Sequence, residues 1–273
     1  TRGTVADGVL LTCDDEPVTR ISTLLEPLGS VEGAPERLRE NAKIAFQGCV
    51  VLGKGFIVEP EEAEAWIAAD PRNVDVLFPY LNGEDLNSRP DASASRWVID
   101  FNSRPEEQAL LYGLPFERVV ERVRGERAKN NRKVYRDRWW QFAEKRPAMR
   151  KAISGLDEVL VVTITSKTLM PVRVKNRSVF SHMLTVIASG SYALQAFVSS
   201  NVHQCWVVKN GSGLRGDSRY TPSDVFETFP RPHLAEESER ALEAIGRTLD
   251  EERREIMLRR ELGLTRLYNR VND

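Results

Sequence analysis

The chain has 273 residues, 41% of them hydrophobic and 29% charged, with 14 Pro and 17 Gly spread throughout. At roughly 150 residues per domain, this is one large domain or two modest ones, long enough to bury a core without disulfides or metals. The composition excludes collagen, low-complexity disorder and an extended coiled coil. The net charge of −1 says nothing about partners until it is divided along the chain.

In chain order, residues 1–35 read as irregular, broken by Pro17, Pro27, Gly29, Gly33 and Pro35. Phe46 to Val58 reads as a hairpin around Gly53-Lys54-Gly55. Pro60 and the glutamates after it predict a helix ending near Asp70-Pro71. Strands are expected over Val74–Leu81 and Arg96–Phe101, flanking a polar loop from Asn82 to Ser95. Phe116, Val119, Val120 and Val123 form an apolar helical face after Pro115, with a charged continuation toward Glu144. A short helix follows from Pro147 to Gly155. The pattern then turns to strands over Asp157–Thr165, Met170–Val174 and Val179–Ala188, a helix over Ser191–Ser200 and a strand over Gln204–Val208. Lys209–Thr221 is a glycine-punctuated loop. Beyond Pro232 there is no proline. Leu242, Ile245, Leu249 and Ile256 stripe a charged helix there.

The longest strongly apolar run, Val159 to Ile164, is far short of the about 20 residues that cross a bilayer. The opening residues of the chain do not have the pattern of a signal peptide, so none is expected. It begins at Thr1 rather than Met, so a piece of a longer protein is expected. Cys13, Cys49 and Cys205 lie far apart and cannot pair completely, which favours reduced thiols and a cytoplasmic location.

Charge is strongly partitioned. Residues 1–117 carry 10 Lys/Arg against 21 Asp/Glu, whereas residues 118–151 carry 13 against 4. That basic stretch holds Arg118, Arg122, Arg124, Arg127, Lys129, Arg132, Lys133, Arg136 and Arg138, beside Trp139 and Trp140. Such side chains neutralise phosphates and release counterions, giving affinity without sequence information. Two readings remain open on charge alone: a polyanion partner, or a solvated helix paired with the acidic part. Adjacent tryptophans beside Phe142 read as core anchors rather than base-stacking platforms.

Several chemistries are missing. Gly53 and Gly55 lack the third glycine of a dinucleotide loop. His182, His203 and His233 are too far apart for a local metal motif, and His203 with Cys205 on one strand face would not close a zinc site. No G-x-S-x-G elbow occurs. There is no Asp-x-Lys or Glu-x-Lys of a metal-dependent nuclease. The Asn-Pro-Pro-Tyr that grips an extruded adenine is also missing, and Phe78-Pro79-Tyr80 only imitates it. No complete active site is legible, so the chain alone is expected not to be an enzyme, with no metal and no cofactor of its own.

Base reading needs polar groups held on strands or ordered loops. Arg173-Val-Lys175-Asn-Arg177, with alternate residues on one face, and Ser212 to Tyr220 both fit, since Arg suits guanine and Asn or Asp the amino groups of adenine or cytosine. The alternative is a solvated edge strand and turn.

Pro79-Tyr80-Leu81-Asn82-Gly83-Glu84-Asp85-Leu86-Asn87 resembles the P-Y-x-x-G-x-x-x-N stretch of MmeI-like (type IIL) restriction–modification enzymes, kin of the Eco57I-like adenine-specific DNA methyltransferases. The similarity continues in order through Arg138-Trp139-Trp140, Arg146-Pro147, Ser199-Ser200, His203 and Trp206. It extends through Arg219-Tyr220, Phe226-Glu227-Thr228-Phe229-Pro230 and Gly263-Leu264-Thr265-Arg266-Leu267-Tyr268-Asn269. In that family this portion is the target recognition domain, closed by a helical C-terminal segment.

The resemblance implies an α/β (mixed α+β) domain of mixed sheets and peripheral helices. It would span residues 1–232, with a possible sub-boundary near 115–155, and end in a helical tail over 233–273. It implies sequence-specific binding of double-stranded DNA, held against an N-terminal methyltransferase domain that flips an adenine out of the duplex. S-adenosylmethionine would belong to that missing part, and no membrane is involved. The phosphate contacts would come from Arg122, Arg124, Arg127, Lys129, Arg132, Lys133, Arg136 and Arg138. The base readers would be sought among Arg173, Lys175, Arg177, Ser212, Arg215, Asp217 and Arg219. A scaffold docking an acidic partner subunit is the competing reading. RNA binding is a third, for which no recognition motif is present.

Overall fold

A computed structural model describes residues 11–13, 16–18, 35–166, 168–214, 217–232 and 234–272. The chain divides into two units, Thr1–Glu36 and Arg37–Asp273. In the first, β1 (Leu11–Cys13) pairs antiparallel with β2 (Glu16–Val18). The rest of the irregular stretch expected over residues 1–35 lies outside the described residues, Pro35 excepted.

The second unit begins with β3 (Ala45–Gln47), β4 (Ile57–Val58), α1 (Pro60–Ala69), β5 (Leu77–Leu81), α2 (Gly83–Ser88) and β6 (Arg96–Ile99). The short helices α3 (Glu106–Ala109), α4 (Gly113–Val119), α5 (Gly125–Ala128), α6 (Lys133–Asp137) and α7 (Pro147–Ile153) follow. Then come β7 (Glu158–Thr163), β8 (Val172–Lys175), β9 (Val179–Phe180), β10 (Leu184–Ile187), α8 (Tyr192–Val198) and α9 (Asn201–Asn210). The ribbon of β11 (Ser212–Leu214) and β12 (Asp217–Arg219) precedes the long α10 (Glu236–Arg259) and α11 (Leu264–Asn272). The fold is mixed α+β, and the strands among the described residues lie in two four-stranded sheets and two ribbons.

One sheet has the order β3-β10-β7-β8, antiparallel throughout; the other has the order β4-β6-β5-β9, with β5 and β9 parallel. β7 is covered on both faces, which is why it reads as an unbroken apolar run. Val159 and Val161 face the larger core, whereas Leu160 and Val162 face a smaller one with Val198, Val207, Tyr220 and Phe226. Trp139 and Trp140 are buried in the larger core, and the Trp140 Nε1 donates to the Arg104 carbonyl at 3.0 Å. Phe116 packs on Trp139 with ring centroids 5.6 Å apart.

Several elements differ from the sequence expectation, among them α2, which lies in the expected polar loop Asn82–Ser95, and the β11–β12 ribbon, which forms in the expected loop Lys209–Thr221. Phe46–Val58 is no hairpin: β3 pairs with β10, and β4 with β6 in the other sheet. Gly53 does take a positive φ of 138°, but Gly55 serves packing, since a Cβ there would lie 2.6 Å from the Arg122 Cβ. The helix after Pro115 widens into a π turn over Val120–Arg124 and stops after α5 instead of running toward Glu144. Gln204–Val208 lies inside α9, because the Ser200 Oγ accepts from the His203 N–H and starts a helix before the β-branched residues are reached. His203 is therefore buried and Cys205 exposed, on different sides of a helix rather than one strand face. On α10 the buried line is Gly246, Asp250, Arg253 and Met257, and Ile245 is 58% exposed.

Candidate nucleic-acid interface

The basic stretch occupies the helical turns from α4 to α6 and the segment leading into Trp139. Arg122, Arg124, Lys129, Arg132, Lys133, Arg136 and Arg138 are all exposed. Lys129, Lys133 and Arg138 have no side-chain partner among the described residues. The Arg124 guanidinium sits 5.4 Å from the Trp139 ring centroid. Arg132 donates to the Tyr135 hydroxyl at 2.9 Å, and Arg136 to the Asn130 and Asn131 carbonyls. Each is a weak surface restraint that leaves further donors free, because a guanidinium carries five N–H groups.

Arg127 departs from the expectation. It is 2% exposed and donates to the carbonyls of Leu52 at 2.9 Å, Val51 at 3.0 Å and Gln141 at 3.1 Å. Burial pushes its pKa down. It ties the crossover between the two sheets to the helical turns, and burial removes it from the phosphate set. Arg118 is also occupied, paired with Glu62 at 2.7 Å.

The base-reading candidates fall in three places. Arg173 is 3% exposed and is a structural tie. Its guanidinium lies 3.7 Å from the Tyr192 ring centroid and donates to the Gln195 Oε1 and the Gly190 carbonyl. It thereby anchors β8 to α8, and Gln195 carries the link on to Asp250 of α10. Burial excludes Arg173 as a reader. Lys175, on the same face of β8, is exposed and pairs with Glu158 at 2.9 Å. Burial raises the Glu158 pKa, but Lys175 and Arg173 outweigh it and hold the carboxyl below its usual range. Arg177 is exposed but sits in the turn after β8, so the expected single face holds for two residues only. Ser212 and Arg219 are exposed and face each other across the β11–β12 ribbon. Asp217 belongs to β12, with its side chain outside the described residues, as is Arg215 entirely.

A cleft of about 320 Å³ adjoins that ribbon, lined by Arg37, Gln47, Ile164, Arg219, Ser223 and Glu227 among others. Thr165 bridges to Arg219, and the Tyr220 N–H donates to the Ile164 carbonyl at 2.7 Å, so the ribbon is fastened to the end of β7. Thr185, directly opposite Gln47 in the sheet, donates to the Tyr220 carbonyl at 3.0 Å. Gln47 donates to the His182 carbonyl at 2.9 Å and accepts from Arg146 at 3.0 Å. Burial and the charge of Arg146 lower the His182 pKa. Arg37 and Gln47 escaped the sequence reading because they lie in segments remote from Arg219, whereas His182 entered it only as a histidine too far from the others for a metal motif. No local spacing could have signalled them, apart from the Arg146-Pro147 motif itself.

The motifs that carried the resemblance are largely scaffold. Asn82 caps α2, accepting from the N–H groups of Glu84 and Asp85. A Cβ on Gly263 would lie 2.4 Å from the Ser88 carbonyl, so the start of α11 is seated tightly on the end of α2. His203 bonds the Tyr220 hydroxyl at 2.9 Å and packs on Phe229, and Trp206 donates to the Thr228 hydroxyl. These contacts hold the Arg219-Tyr220 segment against α9.

The second unit is thus a two-sheet domain with peripheral helices, a ribbon-edged cleft and an exposed basic segment. The family model described as MmeI, target recognition domain, matches residues 29–233. The chain belongs to that family and is a target recognition domain of the MmeI type. Among solved structures, the type IIL restriction–modification enzyme MmeI, determined in complex with DNA, superposes with a TM-score of 0.67 at 18% identity, over 84% of this chain and 30% of that one. The type IIG restriction endonuclease BpuSI gives a TM-score of 0.41 at 11% identity, over 77% of this chain and 26% of that one. The chain thus spans less than a third of the length of these enzymes. No curated protein matches it. No helix among the described residues is long and apolar enough to cross a membrane.

Proposed function

We propose that the chain binds double-stranded DNA sequence-specifically, as the target recognition domain of a cytoplasmic adenine-specific restriction–modification methyltransferase. In this reading residues 1–232 form the recognition domain and 233–273 a helical segment that closes it. An N-terminal methyltransferase domain of the parent protein holds S-adenosylmethionine and performs the chemistry. Arg122, Arg124, Lys129, Arg132, Lys133, Arg136 and Arg138 take phosphates. Lys175, Arg177, Ser212, Arg215, Asp217 and Arg219 are the groups from which base readers are drawn. The observation that carries the reading is the cluster of exposed cations beside buried tryptophans. The aromatic rings are used up by the core, which leaves the charges facing solvent with almost no carboxylate to answer them. A cluster meant to pair with the acidic part of its own chain would instead show those ion pairs, as Arg118 does with Glu62.

The test is the salt dependence of duplex binding by the 273-residue chain. Seven phosphate contacts give a slope of about −6 in log K against log salt. A slope near zero, with stronger binding to an acidic protein surface, would support the scaffold reading.

A further inference from the structure

We propose that Gln47 is a specificity-determining residue that reads adenine from the major groove, and that Arg146 is the positioning residue that holds its amide for the task. The inference rests on the reading of the chain as a duplex-binding domain. Gln47 ends β3, the outer strand of its sheet, where the backbone leaves for the other sheet. Two crossovers run side by side there. Cys49 pairs with Ser181, the Cys49 N–H donates to the Phe180 carbonyl at 2.7 Å, and the His182 N–H returns to the Cys49 carbonyl at 2.9 Å. Arg146 adds a bond to the Gly48 carbonyl at 3.2 Å. Gln47 thus stands on a backbone bonded on both sides, and readers mounted on strands are more precise than readers on loops.

The amide orientation is fixed by chemistry. A guanidinium only donates, so the oxygen of Gln47 must face Arg146, and its nitrogen then faces the His182 carbonyl. One N–H and one oxygen lone pair are left, the pair of functions that Gln offers to N7 and N6 of adenine. Gln47 and Arg219 line the same cleft. Thr185 joins them, opposite Gln47 on one side and bonded to the Tyr220 carbonyl on the other. Within the cleft Arg37 pairs with Glu227 at 3.6 Å, and Asp224 feels the charges of Arg37 and Arg219, whereas Arg146, bonded to Gln47 and to the Gly48 carbonyl, has no carboxylate partner among the described residues. A phosphate contact alone would call for another cation; an amide locked between the Arg146 guanidinium and the His182 carbonyl supplies a choice of base.

The experiment is selection from a pool of randomised duplexes with the 273-residue chain as wild type, Gln47→Ala, Gln47→Glu and Arg146→Lys. Wild type should enrich a motif with adenine at one position. Gln47→Ala should lose that preference, by about 5- to 150-fold, and leave the other positions alone. Gln47→Glu, which can only accept, should move the preference toward cytosine. Arg146→Lys keeps the charge but not the fork, so it should relax the same position while the salt slope stays put. Thermal unfolding of each variant shows that it is folded, and Gln47→Glu is the variant of nearly unchanged shape. If wild type enriches a motif that folded Gln47→Ala and Gln47→Glu both retain, the assignment of Gln47 is wrong and the duplex reading stands. If wild type binds no duplex at all, both fall together.

Discussion

Replacing Arg127 with alanine separates a structural cation from its phosphate-facing neighbours. The guanidinium is bonded to three carbonyls, those of Val51, Leu52 and Gln141. Each buried acceptor left without a donor costs about 1–3 kcal/mol. Water entry and relaxation recover part of that, as does the relief of a desolvated charge, whose Nη1 is itself buried without a partner. The net loss should be about 3 kcal/mol, in the range for breaking a buried charged contact. With a urea slope of about 3 kcal/mol per molar for a chain of this size, the unfolding midpoint should fall by about 1 M. Arg127→Lys should recover little, because an ammonium cannot reach three carbonyls in one plane. The slope of log K against log salt should stay as in wild type wherever the variant is folded. An unchanged midpoint together with a slope about one unit shallower would show that Arg127 swings out to a phosphate and that its burial is not the working state.

The exposed cations should behave in the opposite way. Lys129→Ala with Lys133→Ala should flatten the salt slope by roughly two units, weaken all duplexes alike and leave the unfolding free energy within about 0.5 kcal/mol of wild type, measured by urea unfolding. Gly246→Ala should destabilise the domain by about 1–3 kcal/mol, measured by urea unfolding, because a Cβ there would lie 2.0 Å from the Tyr192 carbonyl oxygen. Burial lowers the His203 pKa from 6.5 to about 4, so the folded chain holds it neutral while the unfolded chain protonates it below pH 6.5. Stability from this group is intact above pH 6.5, falls as pH drops and is fully lost below about 4. The loss should be about 2 kcal/mol by pH 5. The difference in unfolding free energy between wild type and His203→Gln, followed from pH 7 to 5, reads it; a pH-independent difference would mean His203 is solvated.

The elements with a local signature were legible. Pro60 announced α1, and Phe116, Val119 and Val123 announced the buried face of α4 and its π turn. The core role of Trp139 and Trp140 followed from Phe142 beside them. Elements whose identity is set across the chain were not. The run from Phe46 to Val58 has the composition of a hairpin, yet its halves are drawn into different sheets by β10 and β6, partners about 40 to 140 residues away. Val207 and Val208 favour a strand by propensity, and one serine cap with a buried His203 face overrode them. The candidate site divided along the same line. A run of cations reports where charge is dense, but the i-to-i+5 geometry that turns Arg127 inward and its neighbours outward depends on the π turn and on carbonyls from residues 51 and 52. Arg173 was indistinguishable by sequence from Lys175 two residues on; only Gln195 and Tyr192, brought over it by α8, make it a tie. Gln47 carried no signal because its partners Arg146 and His182 are remote.

Choice of a DNA sequence is the property proposed for this chain. Enrichment from a fully randomised duplex pool by the isolated 273 residues, at physiological salt and with excess non-specific duplex present, tests it most directly. One short motif should emerge, bound about a thousandfold or more tighter than random duplex, with both the motif and the binding surviving S-adenosylmethionine-free conditions. Retention of all sequences alike, or retention of none while an acidic protein is captured, would contradict it.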